Sequence, residues 1–142
     1  MEVITNSAEE TKNLGKRIGS LLKTGSVLAL VGDIGAGKTT FVQGLAESLG
    51  ILRVVSPTFI IMRKYNLRER NFYHLDLYRL EGNIEEELKN IGFLEILDEK
   101  DAITVVEWAE RARGIFPPET VWVNFKETGE ARTITLPNTL GV

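Results

Sequence analysis

The sequence predicts an α/β fold in one domain over residues 1–142, with a mixed β-sheet flanked by helices and completed by a C-terminal β-hairpin. Three observations predict this class. Strand-like apolar runs alternate with amphipathic helical segments along most of the chain. The run VLALV, residues 27–31, is uninterrupted, as is typical of a strand buried on both faces. Near the C-terminal end, the turn sequence ETGE (127–130) joins two strand-like segments and indicates a hairpin.

Two helices are predicted in the first third of the chain. The first covers residues 6–25, where Ser7 and Glu10 have capping-box spacing. Its apolar face consists of Leu14, Ile18, Leu21 and Leu22, and Gly25 supplies a stop. The second runs from Lys38 to Leu49 and ends at Gly50. Its predicted buried stripe consists of Phe41, Val42, Leu45, Ala46 and Leu49.

The other elements are five strands and one helical region. The strand patterns lie at residues 58–62, 71–76, 102–107, 120–125 and 131–136. Residues 84–97 predict one or two short helices. Since no repeat, low-complexity segment or linker divides the sequence, we expect a single domain.

The composition limits the classes of function. Seventeen basic and twenty acidic residues give a net charge of −3, so tight stand-alone binding to nucleic acid is not expected. A local basic patch, or nucleic acid bound through a partner, stays open. The absence of cysteine excludes disulfides and Cys-ligated metals. The start has no apolar signal core and no apolar run approaches the roughly 18 residues of a membrane span, so we expect a soluble, cytoplasmic protein.

The segment GDIGAGKTTF (32–41) fits the phosphate-binding pattern G-x-x-x-x-G-K-[ST]. A predicted buried strand precedes it and an amphipathic helix follows. Glycines let backbone N–H groups turn toward phosphate oxygens, and the helix N-terminus adds the positive end of its dipole. We therefore expect Lys38 to reach the β- and γ-phosphates of a nucleotide and the Thr39 hydroxyl to ligate Mg²⁺. The alternative is a glycine-rich turn with a surface lysine.

Two acids lie at the carboxyl ends of predicted strands. The phosphate loop likewise follows the carboxyl end of the strand predicted at residues 27–31. Asp76 closes FYHLD and Glu107 closes ITVVE. Because ligands of open α/β sheets bind beyond the carboxyl ends of the strands, both acids are candidates for the metal or the attacking water. Our interpretation places Glu107 on the metal and Asp76 as the catalytic residue that orders water or acts as general base. From the residues alone the two are nearly interchangeable, and either could be an ordinary strand-end carboxylate.

Several nearby residues have two readings. Thr58, in the segment SPT, could belong to a switch-like loop or to an ordinary turn. His74 is more typical of a core residue or a partner of a ligand than of a ligand itself. Trp108 is interpreted as packing, and Arg79 as a contact to phosphate or to an acid. The basic segment RKYNLRER (63–70) favours a solvated hairpin turn over a surface that faces RNA or protein.

Four segments together resemble the TsaE family of small bacterial ATPases, formerly called YjeE. They are GDIGAGKTTF, SPTFII, HLDLYRL and VVEWAER, in this order and at this spacing. The resemblance extends from the first helix to the final hairpin. It implies a fold similar to that of P-loop NTPases, with ATP or ADP and Mg²⁺ as ligands.

The same resemblance implies a role in threonylcarbamoyl modification (t6A) of the adenosine just 3′ of the anticodon in tRNAs reading ANN codons. In that family the ATPase acts beside two proteins, TsaB and TsaD. TsaD transfers the threonylcarbamoyl group, and ATP hydrolysis supports repeated turnover of the complex. Contact with tRNA is expected to be indirect.

Carried over by position, the resemblance also implies roles for individual residues. The phosphates would lie on Gly35, Ala36, Gly37, Lys38, Thr39 and Thr40. Thr39 and Glu107 would hold Mg²⁺, with Lys38 and the Walker-B-like Asp76 completing the catalytic set. Thr58 would lie in the switch loop. The adenine would lie between the first helix and the terminal hairpin, near Ala8 and Ala131.

Other users of this phosphate loop are alternatives. A small-molecule kinase needs an acceptor pocket and a mobile lid, for which only residues 63–70 could serve. A GTPase is disfavoured because the guanine-reading N-K-x-D element is absent from the sequence. The last alternative is a nucleotide-binding assembly factor that hardly hydrolyses ATP. This hypothesis coincides with that of the family, since the isolated protein could hydrolyse ATP slowly without its partners.

Overall fold

A seven-stranded sheet forms the centre of the computed structural model, which describes residues 1–33, 35–55 and 61–140. The strands are β1 (Glu2–Thr5), β2 (Val27–Gly32), β3 (Met62–Asn66), β4 (Asn71–Asp76), β5 (Ala102–Glu107), β6 (Val121–Thr128) and β7 (Ala131–Thr135). The α-helices are α1 (Ala8–Leu21), α2 (Lys38–Ser48), α3 (Ile84–Asn90) and α4 (Phe93–Leu97). Two 3-10 segments follow, Ala109–Ile115 and Asn138–Leu140.

The sheet is mixed, as predicted. Its strand order is β1-β7-β6-β2-β5-β4-β3. The four central strands β6, β2, β5 and β4 run parallel, whereas β3, β7 and β1 pair antiparallel with their neighbours. The predicted hairpin is β6 and β7, which pair from Asn124↔Thr135 to Thr128↔Ala131. Since parallel strands end at one edge, the loops after β2, β4 and β5 meet there.

Apolar layers cover both faces of the sheet. Alternate residues of β2 divide between them: Leu28 and Leu30 face α1 and α2, while Ala29 points to the side of α3 and α4. All three are fully buried, which confirms the prediction that this strand is covered on both faces. The layer under α2 includes an edge-to-face contact of Phe41 with Phe125, with ring centroids 5.3 Å apart.

Helix α1 has the predicted N-cap at Ser7, but the Glu10 side chain bonds Asn6, one residue before the N-cap, and so does not complete the capping box. The Ser7 hydroxyl accepts from the Glu10 N–H at 3.1 Å, and the Glu10 carboxylate accepts from the Asn6 N–H at 3.2 Å. The predicted stop at Gly25 is wrong, because α1 ends at Leu21 and Leu22 is already extended. Leu22 is 9% exposed and packs into the core from that extended position.

Helices α1 and α2 lie unusually close because glycines face the contact. A β-carbon on Gly44 of α2 would overlap the carbonyl oxygen of Lys12 in α1, and one on Gly15 would overlap that of Phe41. Neither neighbour is the end of a flexible side chain, so neither can rotate away. The contact matters for the site because α2 starts at the phosphate loop.

We therefore expect Gly44→Ala to lower the free energy of unfolding by about 2 kcal/mol, within the range for overpacked cores. The higher helix propensity of alanine, about 1 kcal/mol, offsets only part of the clash. The matched control is Gln43→Ala on the exposed side of α2, which should change stability by less than about 0.5 kcal/mol. Urea unfolding measures both variants, and equal midpoints would contradict the close packing.

Three segments differ from the sequence predictions. Strand β1, Glu2–Thr5, was not predicted; it is a short edge strand held by pairing with β7. The strand predicted at 58–62 overlaps β3 only at Met62, and residues 58–60 lie outside the described residues. The turn predicted over 63–70 is wrong for residues 63–66, which continue β3.

Among the helices of residues 1–33, 35–55 and 61–140, none combines the length and apolar character needed to cross a bilayer.

Candidate functional site

The loop between β2 and α2 turns back on itself through glycines. Gly35 and Gly37 have φ of +77° and +96°, a region that side chains disfavour. Gly37 is the N-cap of α2 and gives that helix no side-chain cap. The first backbone N–H groups of α2 therefore have no side-chain acceptor and can donate to an anion.

A cavity of about 470 Å³ opens at this loop. Its lining comes from the loop, from the turn after β4 and from the end of β5. The lining residues are Gly35, Gly37, Lys38, Thr39, Thr40, Asp76, Tyr78, Glu107 and Trp108. The structure thus brings together the phosphate-loop residues and both acids that the sequence analysis selected.

Glu107 connects the phosphate loop to the sheet. Its Oε1 accepts from the Thr39 hydroxyl at 3.1 Å, and the side chain is 2% exposed. In the register of β4 and β5, Asp76 is directly opposite Glu107. His74 is fully buried and contacts Glu107, which confirms its interpretation as a partner of a candidate ligand.

Asp76 lies at the cavity wall, where the pKa of its carboxyl is raised above its ordinary value. Burial raises the pKa of its carboxyl, and the negative charge of Glu107 raises it further. The Tyr78 N–H donates to Asp76 Oδ1 at 2.9 Å, and this hydrogen bond lowers the pKa and so offsets part of the rise.

Lys38 lines the cavity together with the two acids and is 5% exposed. Its ammonium donates to the Gly32 carbonyl and sits 3.5 Å from the centroid of the Trp108 ring. Burial lowers the pKa of this ammonium, while the surrounding acids act in the opposite direction, chiefly Glu110.

Trp108 is a site residue that the sequence analysis missed. It lines the cavity, covers Lys38 and stacks against Tyr78, with ring centroids 4.9 Å apart. Its φ of +58° is a strained conformation for a side-chain-bearing residue. The interpretation as packing alone was therefore incomplete. Its position directly after a strand-end acid was the available signal.

Glu110 was also missed. Its Oε2 accepts from the Gly32 N–H at 3.2 Å, so it holds the first residue of the loop from the 3-10 segment after β5. The backbone carbonyl of Asp33, a residue that the pattern predicts as part of the loop, accepts from the Ala36 N–H at 3.2 Å. The Ala36 side chain is buried in the core.

A smaller cavity of about 130 Å³ adjoins the first through Gly35, Gly37 and Thr40. It is closed by the start of α1 and by the terminal hairpin, the two elements predicted to enclose a base. Ala8 lines it, and from the hairpin the lining comes from Glu130 and Arg132, on either side of Ala131. Arg132 Nε donates to the Gly35 carbonyl at 3.1 Å, which ties the hairpin to the loop.

Thr58 and Arg79 are the remaining residues that the sequence analysis considered. Thr58 lies outside the described residues. Arg79 is exposed in the turn after β4.

The donors at the site suit a hard cation. The Thr39 hydroxyl and the Glu107 and Asp76 carboxylates are oxygen donors, which Mg²⁺ prefers. Within residues 1–33, 35–55 and 61–140, no three His, Cys, Asp or Glu side chains form a metal cage.

Comparison with known proteins gives consistent matches. The profile of a family described as "Threonylcarbamoyl adenosine biosynthesis protein TsaE" matches residues 5–134. A protein named "tRNA threonylcarbamoyladenosine biosynthesis protein TsaE" from Bacillus subtilis is 41% identical over 127 residues, covering 89% of this chain and 77% of that protein. Its namesake from Borreliella burgdorferi is 39% identical over 131 residues, covering 92% and 94%.

A solved structure agrees over the whole fold. The crystal structure of Bacillus subtilis YdiB superposes with a TM-score of 0.79 at 35% sequence identity. The match covers 99% of this chain and 88% of that one.

Proposed function

The chain belongs to the TsaE family, and we propose that it is a Mg²⁺-dependent ATPase that acts in threonylcarbamoyladenosine (t6A) biosynthesis on tRNA. One observation carries the enzymatic part of this proposal. The Thr39 hydroxyl, from the phosphate loop, meets the Glu107 carboxylate, from β5, at 3.1 Å in the cavity that Lys38 also lines. A hydroxyl and a carboxylate beside a phosphate site are the groups that hold Mg²⁺ in nucleotide hydrolases.

The phosphates of ATP would bind at the start of α2. Backbone N–H groups at the N-cap Gly37 and in the first turn of α2 supply donors there, and the helix dipole adds a positive potential. Lys38 would leave the Gly32 carbonyl and the Trp108 ring to contact the β- and γ-phosphates. Its ammonium would then offset the charge that develops as the γ-phosphoryl group departs.

Thr39 and Glu107 would hold Mg²⁺, with the remaining positions left to phosphate oxygens and water. When bound, Mg²⁺ would supply neutralisation of the phosphate charge. Glu107 needs no large movement for this role, since its Oε1 already faces the Thr39 hydroxyl.

Asp76 would orient the attacking water and accept its proton. A bond forms between the water oxygen and the γ-phosphorus, the bond to the bridging oxygen breaks, and ADP and phosphate leave. The raised pKa of Asp76 supports this assignment, because a base is most effective when its pKa approaches the working pH.

The adenine would occupy the smaller cavity near Ala8 and Ala131. This cavity shares Gly35, Gly37 and Thr40 with the phosphate site, so one nucleotide could span both. The Arg132 contact with the Gly35 carbonyl would keep the hairpin against the loop.

Because the matched family is described by its role in threonylcarbamoyl adenosine biosynthesis, hydrolysis would serve a partner's chemistry in that process. We assign TsaB and TsaD as partners and expect tRNA to be bound through them. The test is to immobilise the chain and measure capture of purified TsaB and TsaD with and without ATP. Capture that depends on ATP supports the role, and equal capture, or none, in both conditions would contradict it.

A small-molecule kinase is the alternative use of the same loop. The two functions differ in the fate of the γ-phosphoryl group. With γ-labelled ATP, hydrolysis puts the label in inorganic phosphate, whereas a kinase puts it in an organic acceptor.

Nucleotide binding should change the fluorescence of Trp108, because Lys38 must leave the face of its ring. The chain has two tryptophans, so Trp122→Phe isolates the signal of Trp108. Trp122 is on β6, where its ring packs against Phe116 with centroids 5.1 Å apart. Titration with ATP should change the emission of this variant saturably.

The matched control is Trp108→Phe, which retains Trp122 and should show little change. If calorimetry detects ATP binding to the Trp122→Phe variant while its emission stays constant, Lys38 does not move as proposed.

A further inference from the structure

The single histidine of the chain is buried beside the proposed metal ligand. His74 is fully buried in β4, and its Nε2 lies 2.5 Å from Oε2 of Glu107, which is 2% exposed. Burying a polar ring and a carboxylate is costly unless they satisfy each other. This short contact is therefore a strong constraint on the Glu107 side chain.

Strand geometry accounts for the contact. His74 is two residues before Asp76 on β4, so both side chains point to the same face of the sheet. Asp76 is directly opposite Glu107, and His74 reaches Glu107 as a diagonal neighbour on the adjacent strand. The contact thus follows from the register of two central strands and not from a loop.

The two oxygens of Glu107 have separate partners. Oε2 faces His74, and Oε1 accepts from the Thr39 hydroxyl at 3.1 Å. Nδ1 of His74 has no hydrogen-bond partner within the described part of the chain. A neutral ring that carries its proton on Nε2 donates to the carboxylate and leaves no N–H unpaired.

We propose that His74 is a positioning residue for Mg²⁺ binding: its Nε2–H holds Oε2 of Glu107 and thereby keeps Oε1 directed at Thr39 and the metal position. The inference rests on the proposed function, because it concerns the same site. His74 acts through Glu107 and touches neither nucleotide nor metal. Groups in such indirect contact typically change metal affinity by about 10- to 100-fold.

The test compares two substitutions that differ in one hydrogen bond. His74→Gln places an amide N–H near the position of Nε2, whereas His74→Leu fills the space without a donor. The probe is Mn²⁺, whose free concentration is followed by electron paramagnetic resonance in the presence of ADP. Affinity for ADP is measured separately in EDTA, and thermal melts followed by circular dichroism confirm folding.

We expect His74→Leu to weaken Mn²⁺ binding by about 10- to 100-fold while ADP affinity in EDTA is retained. His74→Gln should recover most of the loss. Equal Mn²⁺ affinity in His74→Leu and the unaltered chain would overturn the proposal, as would an equal loss in both variants. If His74 only filled the core, its substitution would change the affinities for metal and for nucleotide to the same extent.

If His74→Leu does not fold, His74→Asn replaces it. Its amide is one methylene shorter than that of glutamine and cannot reach Glu107, so it should lose Mn²⁺ affinity where His74→Gln keeps it. Equal affinities in the two amide variants would overturn the proposal. Absence of Mn²⁺ binding in the unaltered chain with ADP would instead overturn the proposed function together with this inference.

Discussion

Replacing Lys38 with alanine is expected to reduce ATP turnover on the order of 100- to 1000-fold, the usual cost of losing one preorganised charge-stabilising group. Lys38 lies at the start of α2 and lines the cavity, and its ammonium is held within reach by the Gly32 carbonyl and the Trp108 ring. Its removal leaves the charge on the transferred phosphoryl group without this partner. Phosphate release measures turnover, and calorimetry measures nucleotide affinity.

Lys64→Ala is the matched control for this substitution. Lys64 is an exposed lysine on β3, 5.6 Å from the Tyr73 ring centroid and outside the cavity lining. It should leave turnover unchanged, so the comparison separates the local effect of Lys38 from the loss of one positive charge. Turnover by Lys38→Ala at the rate of the unaltered chain would contradict the phosphate-loop assignment.

Glu107→Gln is expected to raise the Mg²⁺ concentration needed for half-maximal hydrolysis by about 100-fold. Loss of a group that only supports a metal ligand lowers metal affinity by up to about 100-fold, and Glu107 is proposed as a ligand itself. The substitution retains the shape of the side chain and removes its charge. Binding of ADP without metal should change far less, because Glu107 contacts Thr39 and His74 and not the backbone donors of the loop. The measurement is hydrolysis over a range of Mg²⁺ concentrations.

Asp76→Asn is the matched variant on the neighbouring strand. It should lower kcat by about 100- to 10,000-fold, as loss of a general base does, while the Mg²⁺ requirement is retained. If Asp76→Asn instead changes the Mg²⁺ requirement and Glu107→Gln does not, the roles of the two acids are reversed.

Much of the central sheet was predictable because its signals are local. The uninterrupted apolar residues of β2 and the strand-end acids of β4 and β5 mark buried parallel strands within a few residues of sequence. The N-cap hydrogen bond of Ser7 in α1 is equally local. These elements carry the loop and both acids, so the main residues of the candidate site could be selected from the sequence.

What was missed depends on contacts between distant parts of the chain. Strand β1 is four residues long and largely exposed, and only its pairing with β7 makes it a strand. The direct pairing of Asp76 with Glu107 follows from the register of β4 and β5, which the sequence pattern does not specify. Trp108 follows a strand-end acid, but its left-handed backbone conformation is not specified by that position.

The most direct test of the proposed ATPase is phosphate release from ATP by the purified chain, alone and with TsaB, TsaD and tRNA, in Mg²⁺ and in EDTA. Hydrolysis that requires Mg²⁺, increases with the partners and is lost in Lys38→Ala is the predicted result. Absence of phosphate release in all mixtures, or release that EDTA and Lys38→Ala leave unchanged, would contradict a Mg²⁺-dependent ATPase site at Lys38, Thr39 and Glu107.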